Sequence, residues 1–411
     1  MKKIAVLALF CFLLLPGFSP AEDFYESQLN RGIRNSDVYT YLLMQEAHGN
    51  RAEAFSRLSK AIQYSPDLPA AYFAMAGEKF SFSSSGVLAS VDYIVAGIDA
   101  YSRNFWWSFS LAGGMFFSLV LSFFMVMVSI AVIRSITDLP LISHEVSESR
   151  QNIALLIALL FLSLISPLLF LAAILVILGL YMSRMDKAVI YLFLLVLLVS
   201  PFLFRTASYF LHVSSSGKIK AIVAVNEARD NSRALTELND DADDPAALFS
   251  HALALKRAGL YHEALSAYNR LLQKRPDART YVDAGNVYVG MNDMEEALRN
   301  YQTAVTLQPR AAAYYNLSVV SRELLDYEKG NEYYRKALDA DRDAVSLYQS
   351  LAARTPNRIV ADDPFSPAEL WRLAQDNSGT TSSFNLVALP VWVNAAAALA
   401  LTAALFFLTS R

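Results

Sequence analysis

Residues 278–310 read ARTYVDAGNVYVGMNDMEEALRNYQTAVTLQPR, and this stretch returns in altered form on both sides of itself. Ala264, Ala297 and Gly330 lie 33 apart, as do Tyr268, Tyr301 and Tyr334, Leu271, Ala304 and Ala337, and Ala252, Gly285 and Ser318. A fixed period of this size marks a stacked solenoid, in which each unit buries its apolar face only against its neighbours. Within the stretch, Tyr281, Gly285 and Tyr288 share one face of a first helix, and Asn292-Asp293 makes a turn. Ala297, Tyr301 and Ala304 share a face of a second helix that Pro309 ends. Small residues at 285, 297 and 304 let the helices approach closely, and the tyrosines fill the remaining volume.

Working outward, the repeat before it, 245–277, keeps Ala252, Ala264, Tyr268 and Pro276, with Leu255 and Leu271 at the other two positions. The repeat after it, 311–343, keeps Tyr314, Tyr334 and Ala337, has Ser318 and Gly330, and carries Arg342 at the place of the proline. It reads as a degenerate terminal repeat. Before the membrane-like part, 35–68 places Ala54, Ala61 and Pro66 at the same relative positions, with His48-Gly49-Asn50 as its turn. Ala70 to Lys79 starts a further helix, Ser83 to Gly86 is a polar break, and 87–104 reads as a helix leading onward.

This order of aromatic, Gly or Ala, Tyr, Ala, aromatic, Ala and Pro resembles the tetratricopeptide repeat. The resemblance covers roughly 35–80 and 245–343, and its period is one residue shorter than the 34 usual in that family. It implies a helical solenoid whose first helices line a groove that holds another protein. By the same resemblance the groove includes Phe249, Lys256, Arg279, Val282, Asn286, Tyr315, Asn316 and Arg322. Asn286 and Asn316 fall where some members clamp the backbone of an extended peptide, since an amide donates and accepts at once. Val282 stands where a lysine usually accompanies them, which argues against capture of a terminal carboxylate.

The chain has 411 residues, is 55% hydrophobic and carries a formal net charge of -3, so it is too apolar for an ordinary soluble protein and gives no electrostatic support to nucleic-acid binding. Lys2-Lys3, an apolar run from Ile4 to Leu15 and the small residues Ser19-Pro20-Ala21 read as a secretory signal cleaved before Glu22. The single cysteine, Cys11, lies inside that signal, so the mature chain is expected to lack disulfides, thiolate metal sites and cysteine nucleophiles.

Four apolar stretches follow: 108–132 with Trp106-Trp107 at its start, 153–181 with Ser166-Pro167 at its centre, 188–204, and 386–408 with Trp392 near its start. The second is long for one span and short for two, so four or five crossings are possible. Five crossings put Arg134, Arg150, Arg184, Lys187 and Arg411 in the cytoplasm and both repeat regions outside it, which better satisfies the positive-inside rule. No Asp, Glu, Lys, Arg or His interrupts the apolar cores, which argues against independent transport.

Other features read as structural. Gly217 to Leu238, with Ile219, Ile222, Val223 and Val225, reads as a helix capping the repeat stack. Residues 356–383 read as a linker with one short helix, opened by the capping box Ser366-Pro367-Ala368-Glu369. Asp240, Asp241, Asp243 and Asp244 read as a helix start. Asp339, Asp341 and Asp343 lack the glycine and terminal glutamate of a calcium loop, and His251 and His262 lack further ligands for a metal. Phosphate loops, nucleophile elbows and dinucleotide fingerprints are absent from the sequence.

The expectation is therefore an all-α protein of tetratricopeptide-like solenoid modules plus a transmembrane helix bundle. Its expected parts are a signal peptide (1–21), an N-terminal repeat module (22–103), three or four spans (104–212), a C-terminal repeat module (213–352), a linker (353–385) and a last span (386–411). The expected role is a non-enzymatic scaffold in a bacterial inner membrane. It would need no cofactor or small-molecule substrate and would bind a protein or peptide on the periplasmic side through Phe249, Lys256, Arg279, Asn286, Tyr315, Asn316 and Arg322. The alternative is a regulatory subunit of a membrane transport or export machine.

Overall fold

The computed structural model describes residues 28–29, 32–47, 51–147, 150–181, 184–229, 233–238, 244–354, 360–376 and 391–409. The expected signal peptide, the His48-Gly49-Asn50 turn and the acids from Asp240 to Asp243 lie outside them. Contacts divide the chain into two units: the residues up to Ser108 with Ser216–Ala374, and Phe109–Ser215 with Gln375–Arg411. All regular structure among the described residues is helical.

In the first unit, α1 (Asp37–Gln45) pairs with α2 (Arg51–Tyr64), and α3 (Pro69–Lys79) with α4 (Ser84–Ser102). Ser83 starts α4, its Oγ accepting the Gly86 N–H at 3.1 Å. The helix α5 (Phe105–Ser147) then leads into the second unit, which holds α6 (Arg150–Ile165), α7 (Pro167–Tyr181), α8 (Arg184–Leu198) and α9 (Ser200–Ser215). The chain returns to the first unit with α10 (Gly217–Asn226), the short α11 (Ala234–Glu237) and three helix pairs. These pairs are α12 (Pro245–Arg257) with α13 (Tyr261–Lys274), α14 (Ala278–Gly290) with α15 (Met294–Leu307), and α16 (Ala311–Glu323) with α17 (Tyr327–Ala340). After α18 (Arg342–Arg354) and α19 (Pro367–Asp376), α20 (Val391–Thr409) belongs again to the second unit.

The three pairs fall where the 33-residue period puts them, and Ala252, Ala264, Tyr268, Ala297, Tyr301, Ala304 and Ala337 are fully buried. At Gly285 an added Cβ would sit 2.5 Å from Cε1 of the Tyr301 ring, so that position has room for no side chain. The turns within these three pairs share one geometry. Gly259, Asn292 and Leu325, spaced 33 apart, all have positive φ: 78°, 62° and 62°. In each, the next residue's N–H reaches back to a carbonyl five residues earlier: Leu260 to Leu255, Asp293 to Tyr288, Asp326 to Ser321. Glycine meets this backbone requirement without strain and asparagine nearly so, whereas Leu325 meets it at a cost of roughly 1–2 kcal/mol.

The four N-terminal helices and the repeats are joined by a short junction after α10. Ala228, itself at φ 51°, presents its carbonyl to the N–H groups of Arg34 (2.7 Å) and Asn35 (3.0 Å). Asn35 Nδ2 donates to the Glu227 carbonyl at 2.9 Å and to Asp67 Oδ2 at 2.9 Å. Arg229 forms ion pairs with Asp37 and Glu227, donates to Asn104 Oδ1 at 3.2 Å and lies over the Trp107 ring at 5.4 Å. Glu227 Oε1 accepts the Trp106 N–H at 3.1 Å. The helix read as a polar cap on the repeats is thus more than a cap. Ile219, Ile222, Val223 and Val225 are buried, and its C-terminal end ties two parts of the chain together.

In the second unit, Leu175, Leu178, Ile190, Phe193, Leu194 and Leu405 form a core among α7, α8 and α20. Among the described residues one helix, Phe105–Ile130, is long and apolar enough by itself to cross a membrane. The apolar stretch expected as one span over 188–204 is bent instead. Lys187–Leu198 and Ser200–Ser215 meet at 56° and pass the same test only together. Pro201 follows the break, and a proline removes a backbone donor where a helix would otherwise continue. Pro167–Leu180 and Ala395–Phe407 are shorter apolar helices.

Two predictions follow from the turns and the junction. Gly259 has open space around its missing side chain, so Gly259→Leu should lose about 1–2 kcal/mol from backbone strain alone, while Leu325→Gly should gain about 0.5–1 kcal/mol. Thermal unfolding of the two variants beside the parent checks both signs. The second concerns Glu227, where burial pushes the carboxyl from 4.5 up to about 7 against the pull of Arg229 and of the Trp106 and Phe105 N–H groups. The folded chain then holds a proton that the unfolded chain has released. This group's contribution to stability therefore falls as pH rises from 4.5 towards 7. Thermal midpoints at about pH 5 and about pH 8 should differ less in Glu227→Gln than in the parent.

Candidate functional site

The first helix of each repeat contributes side chains to one groove. From α12 come Phe249, Lys256 and Arg257; from α14, Arg279, Asp283 and Asn286; from α16, Tyr315 and Asn316, with Arg310 just before its first turn. These helices begin where an oxygen or a proline stops the preceding chain. Asp244 accepts the Ala246 and Ala247 N–H groups at 2.8 and 3.3 Å, and Asp277 accepts the Thr280 N–H at 3.0 Å.

The groove is filled by the chain's own residues 360–366, which have no regular secondary structure. This segment lies within 353–385, read from sequence as a linker; the charged groups of the groove draw it back onto the repeats. Asn316 grips the backbone of Ala361 at both poles, its Oδ1 accepting the N–H at 2.7 Å and its Nδ2 donating to the carbonyl at 2.9 Å. Asn286 Nδ2 donates to the same carbonyl at 2.9 Å. The two amides are themselves aligned: Asn286 Oδ1 accepts from Asn316 Nδ2 at 2.8 Å and from the buried Tyr301 hydroxyl at 2.7 Å.

The two carboxylates that follow are both buried, at 9% and 8% exposure. A buried ion is costly unless it is paired, and here each one is. Asp362 pairs with Lys256 and, at 3.3 Å, with Arg257; Asp363 pairs with Arg310 and lies 3.9 Å from Arg279. Phe365 packs on the Phe249 ring at 5.0 Å, with the Arg279 guanidinium 4.5 Å from its centre, and its N–H donates to Asn226 Oδ1 at 2.8 Å. Arg279 also donates to both oxygens of Glu369, at 2.8 and 2.9 Å. Glu369 closes the α19 capping box, accepting from the Ser366 N–H at 2.7 Å and its Oγ at 2.9 Å. Burial opposes ionisation of Glu369, but the Ser366 and Arg279 hydrogen bonds hold its carboxyl below the ordinary range. Beneath the segment, Asp283 is fully buried 3.6 Å from Lys256, and burial pushes its carboxyl well above the ordinary range.

Of the seven residues singled out from sequence, Phe249, Lys256, Arg279, Asn286, Tyr315 and Asn316 converge on this segment. Tyr315 clusters with Ala361, Val345 and Tyr348. Arg322 does not converge with them. It donates to Asn331 at 3.0 Å and lies over the Tyr334 ring at 5.5 Å, on the side of α17. Val282, taken as groove-lining, is fully buried in the apolar core between helices. Sequence reasoning missed Arg257, Arg310, Asn226 and the segment itself. The one signal available was the pair Asp362-Asp363 between apolar residues, immediately before a capping box that was legible. Beside the segment lies a cavity of about 310 Å³, lined by Val360 to Pro367 on one side and by Arg34, Arg103, Tyr348 and Leu351 among others.

Models of the tetratricopeptide repeat match residues 246–278, 278–310 and 311–343. The chain therefore carries tetratricopeptide repeats over 246–343, the later two with the bounds that the sequence period gives. No curated protein matches the chain. A solved structure titled "Crystal structure of MamA" aligns over 40% of this chain and 99% of that one, at 16% identity and a TM-score of 0.27.

The geometry separates two of the three predicted groove residues on α16. Asn316→Ala should cost about 2–3 kcal/mol, because it leaves the buried Ala361 N–H without its acceptor. Arg322→Ala should cost less than about 1 kcal/mol. Chemical denaturation of both variants measures the difference.

Proposed function

We propose that this protein is a membrane-anchored scaffold whose tetratricopeptide groove captures an extended segment of a partner protein. The observation that carries this reading is the hold on Ala361. Asn286 and Asn316 satisfy one residue's N–H and carbonyl without touching its side chain, which is how an extended chain is gripped irrespective of its sequence. Repeats of this kind serve protein–protein interaction, and among the described residues no group of His, Cys, Asp or Glu converges as a metal site.

Membrane anchoring is supported by where apolar surface faces. Only 11% of the best window of Phe105–Ile130 is buried, and Leu111, Met115, Leu119, Leu121 and Met125 are exposed. Surface of that kind marks contact with lipid or another protein. The α4 helix, which ends at Ser102, three residues before Phe105, exposes Val87, Leu88, Val91, Ile94, Val95 and Ile98 along one face. That face suits the headgroup region next to a span.

The packing of the N-terminal helices with the repeats in one unit bears on topology. Both ends of the intervening segment then lie on one side of the membrane, which requires an even number of crossings between them. This favours five crossings over four, with the break at Ser166-Pro167 as a turning point. Together with the signal-like N-terminus it supports a periplasmic position for both modules in a bacterial inner membrane, as part of a cell-envelope complex. The effect of anchoring is to raise the local concentration of whatever the groove holds.

Single-cysteine labelling tests the arrangement in intact cells. With Cys11→Ser as background, a cysteine at Ser232 should react with an impermeant thiol reagent and one at Ser183 should be protected. The reverse pattern places the repeats in the cytoplasm and sinks the envelope assignment.

A further inference from the structure

We infer that residues 360–366 are a resident stand-in for the groove's partner, and that the partner supplies an extended acidic segment of the same chemistry: a small residue, two carboxylates, then an aromatic ring. The inference rests on the reading of the groove as a binding surface and adds what that surface recognises.

Four features of the stand-in define the ligand. At Ala361 the groove reads backbone, and the small side chain clusters with Tyr315 and Val345. At the next two positions it reads negative charge. Lys256 and Arg257 at the end of α12, Arg279 at the start of α14 and Arg310 just before α16 face this segment, while Asp283 makes the repeats' own ion pair with them, through Lys256. With Asp362 and Asp363 lifted away, the four cations would outnumber Asp283 and Glu369, the carboxylates that remain beside them, and the surplus positive charge would attract an anionic chain. Two positions further on, Phe365 fills a slot between the Phe249 ring and the Arg279 guanidinium.

The segment is also seated so that it can be replaced. Its other side borders the 310 Å³ cavity, so a competing chain can enter alongside it. Its hold is divided among ion pairs, hydrogen bonds and the Phe365 ring on Phe249, and a competitor of the same chemistry can take these over one at a time.

Exchange would be felt beyond the groove. Arg279 serves Phe365 and the Glu369 cap of α19 together. Trp371 of α19 packs on Phe105 at 5.3 Å and donates to Ser108 Oγ at 3.3 Å, at the first turn of α5. A partner that takes the place of Asp362, Asp363 and Phe365 therefore competes for the residue that caps α19. A tethered segment competes at an effective concentration on the order of millimolar, so a free segment binds the native chain far more weakly than a chain whose own segment is disabled.

The test uses full-length protein in detergent and a fluorescent peptide spelling residues 360–367, VADDPFSP. The triple variant Asp362→Ala, Asp363→Ala, Phe365→Ala leaves every groove residue in place. It should bind the peptide at least about ten-fold more tightly than the parent. A VANNPFSP peptide should lose at least about ten-fold, and adding Asn316→Ala should abolish binding. Equal binding by parent and triple variant, or equal binding of the charged and neutral peptides, overturns the inference.

A second measurement needs no weakened segment. With Cys11→Ser and Ala361→Cys in otherwise native protein, the thiol should be shielded, and excess VADDPFSP peptide should speed its modification several-fold. No acceleration overturns the inference. Selection of a random peptide display library on the triple variant separates this idea from the one beneath it. Enrichment of basic or purely apolar sequences sinks the acidic ligand and leaves a binding groove; no enrichment at all removes both.

Discussion

Two carboxylates stay covered in this protein because four cations are held in place to meet them. Asp362 and Asp363 sit in a segment without secondary structure, so no helix dipole or ladder of backbone hydrogen bonds supports them. What supports them is the stacking of the first helices: Lys256 and Arg257 end α12, Arg279 opens α14, and Arg310 immediately precedes α16. Remove the regular stacking and these charges no longer meet. The groove's chemistry therefore depends on consecutive repeats packing side by side, each with a turn at a positive-φ residue, Gly259, Asn292 or Leu325.

The same dependence explains why the groove holds a chain segment by its backbone. Tyr301 is buried at the position where each repeat needs bulk, opposite a glycine that leaves it room. Its hydroxyl is fully enclosed there and donates to Asn286. That bond orients the Asn286 amide, which orients Asn316, which grips Ala361. A packing requirement of the core is thus relayed, through three hydrogen bonds, into a fixed pair of poles at the groove.

Much of this was legible in the sequence, for physical reasons that can be named. The repeats announce themselves because a solenoid must bury the same face in each unit, so Ala297, Tyr301 and Ala304 have counterparts one period away. The asparagines were legible because the family resemblance gave their register. Arg322 misled, since a helix carries several long polar side chains and spacing alone does not say that Tyr334 draws this one aside. The segment 360–366 was not legible as an element. Its hold comes from residues as far as 139 positions away, and no local period records a contact of that range. The junction at Ala228 escaped for the same reason, whereas the bend at Val199 carries a local mark, Pro201, that a reading of hydropathy alone passes over.

The junction has a consequence for the order of events in the cell. Asn35 and Asp37 are made early, and Ala228 and Arg229, which complete their bonds, emerge only after the whole of α5 to α9. The N-terminal helices therefore leave the ribosome unfinished and must wait for their other half. Closure of the junction is therefore a late event of folding: Asn35 and Asp37 gain Ala228 and Arg229 as partners only once the whole of α5 to α9 has been made.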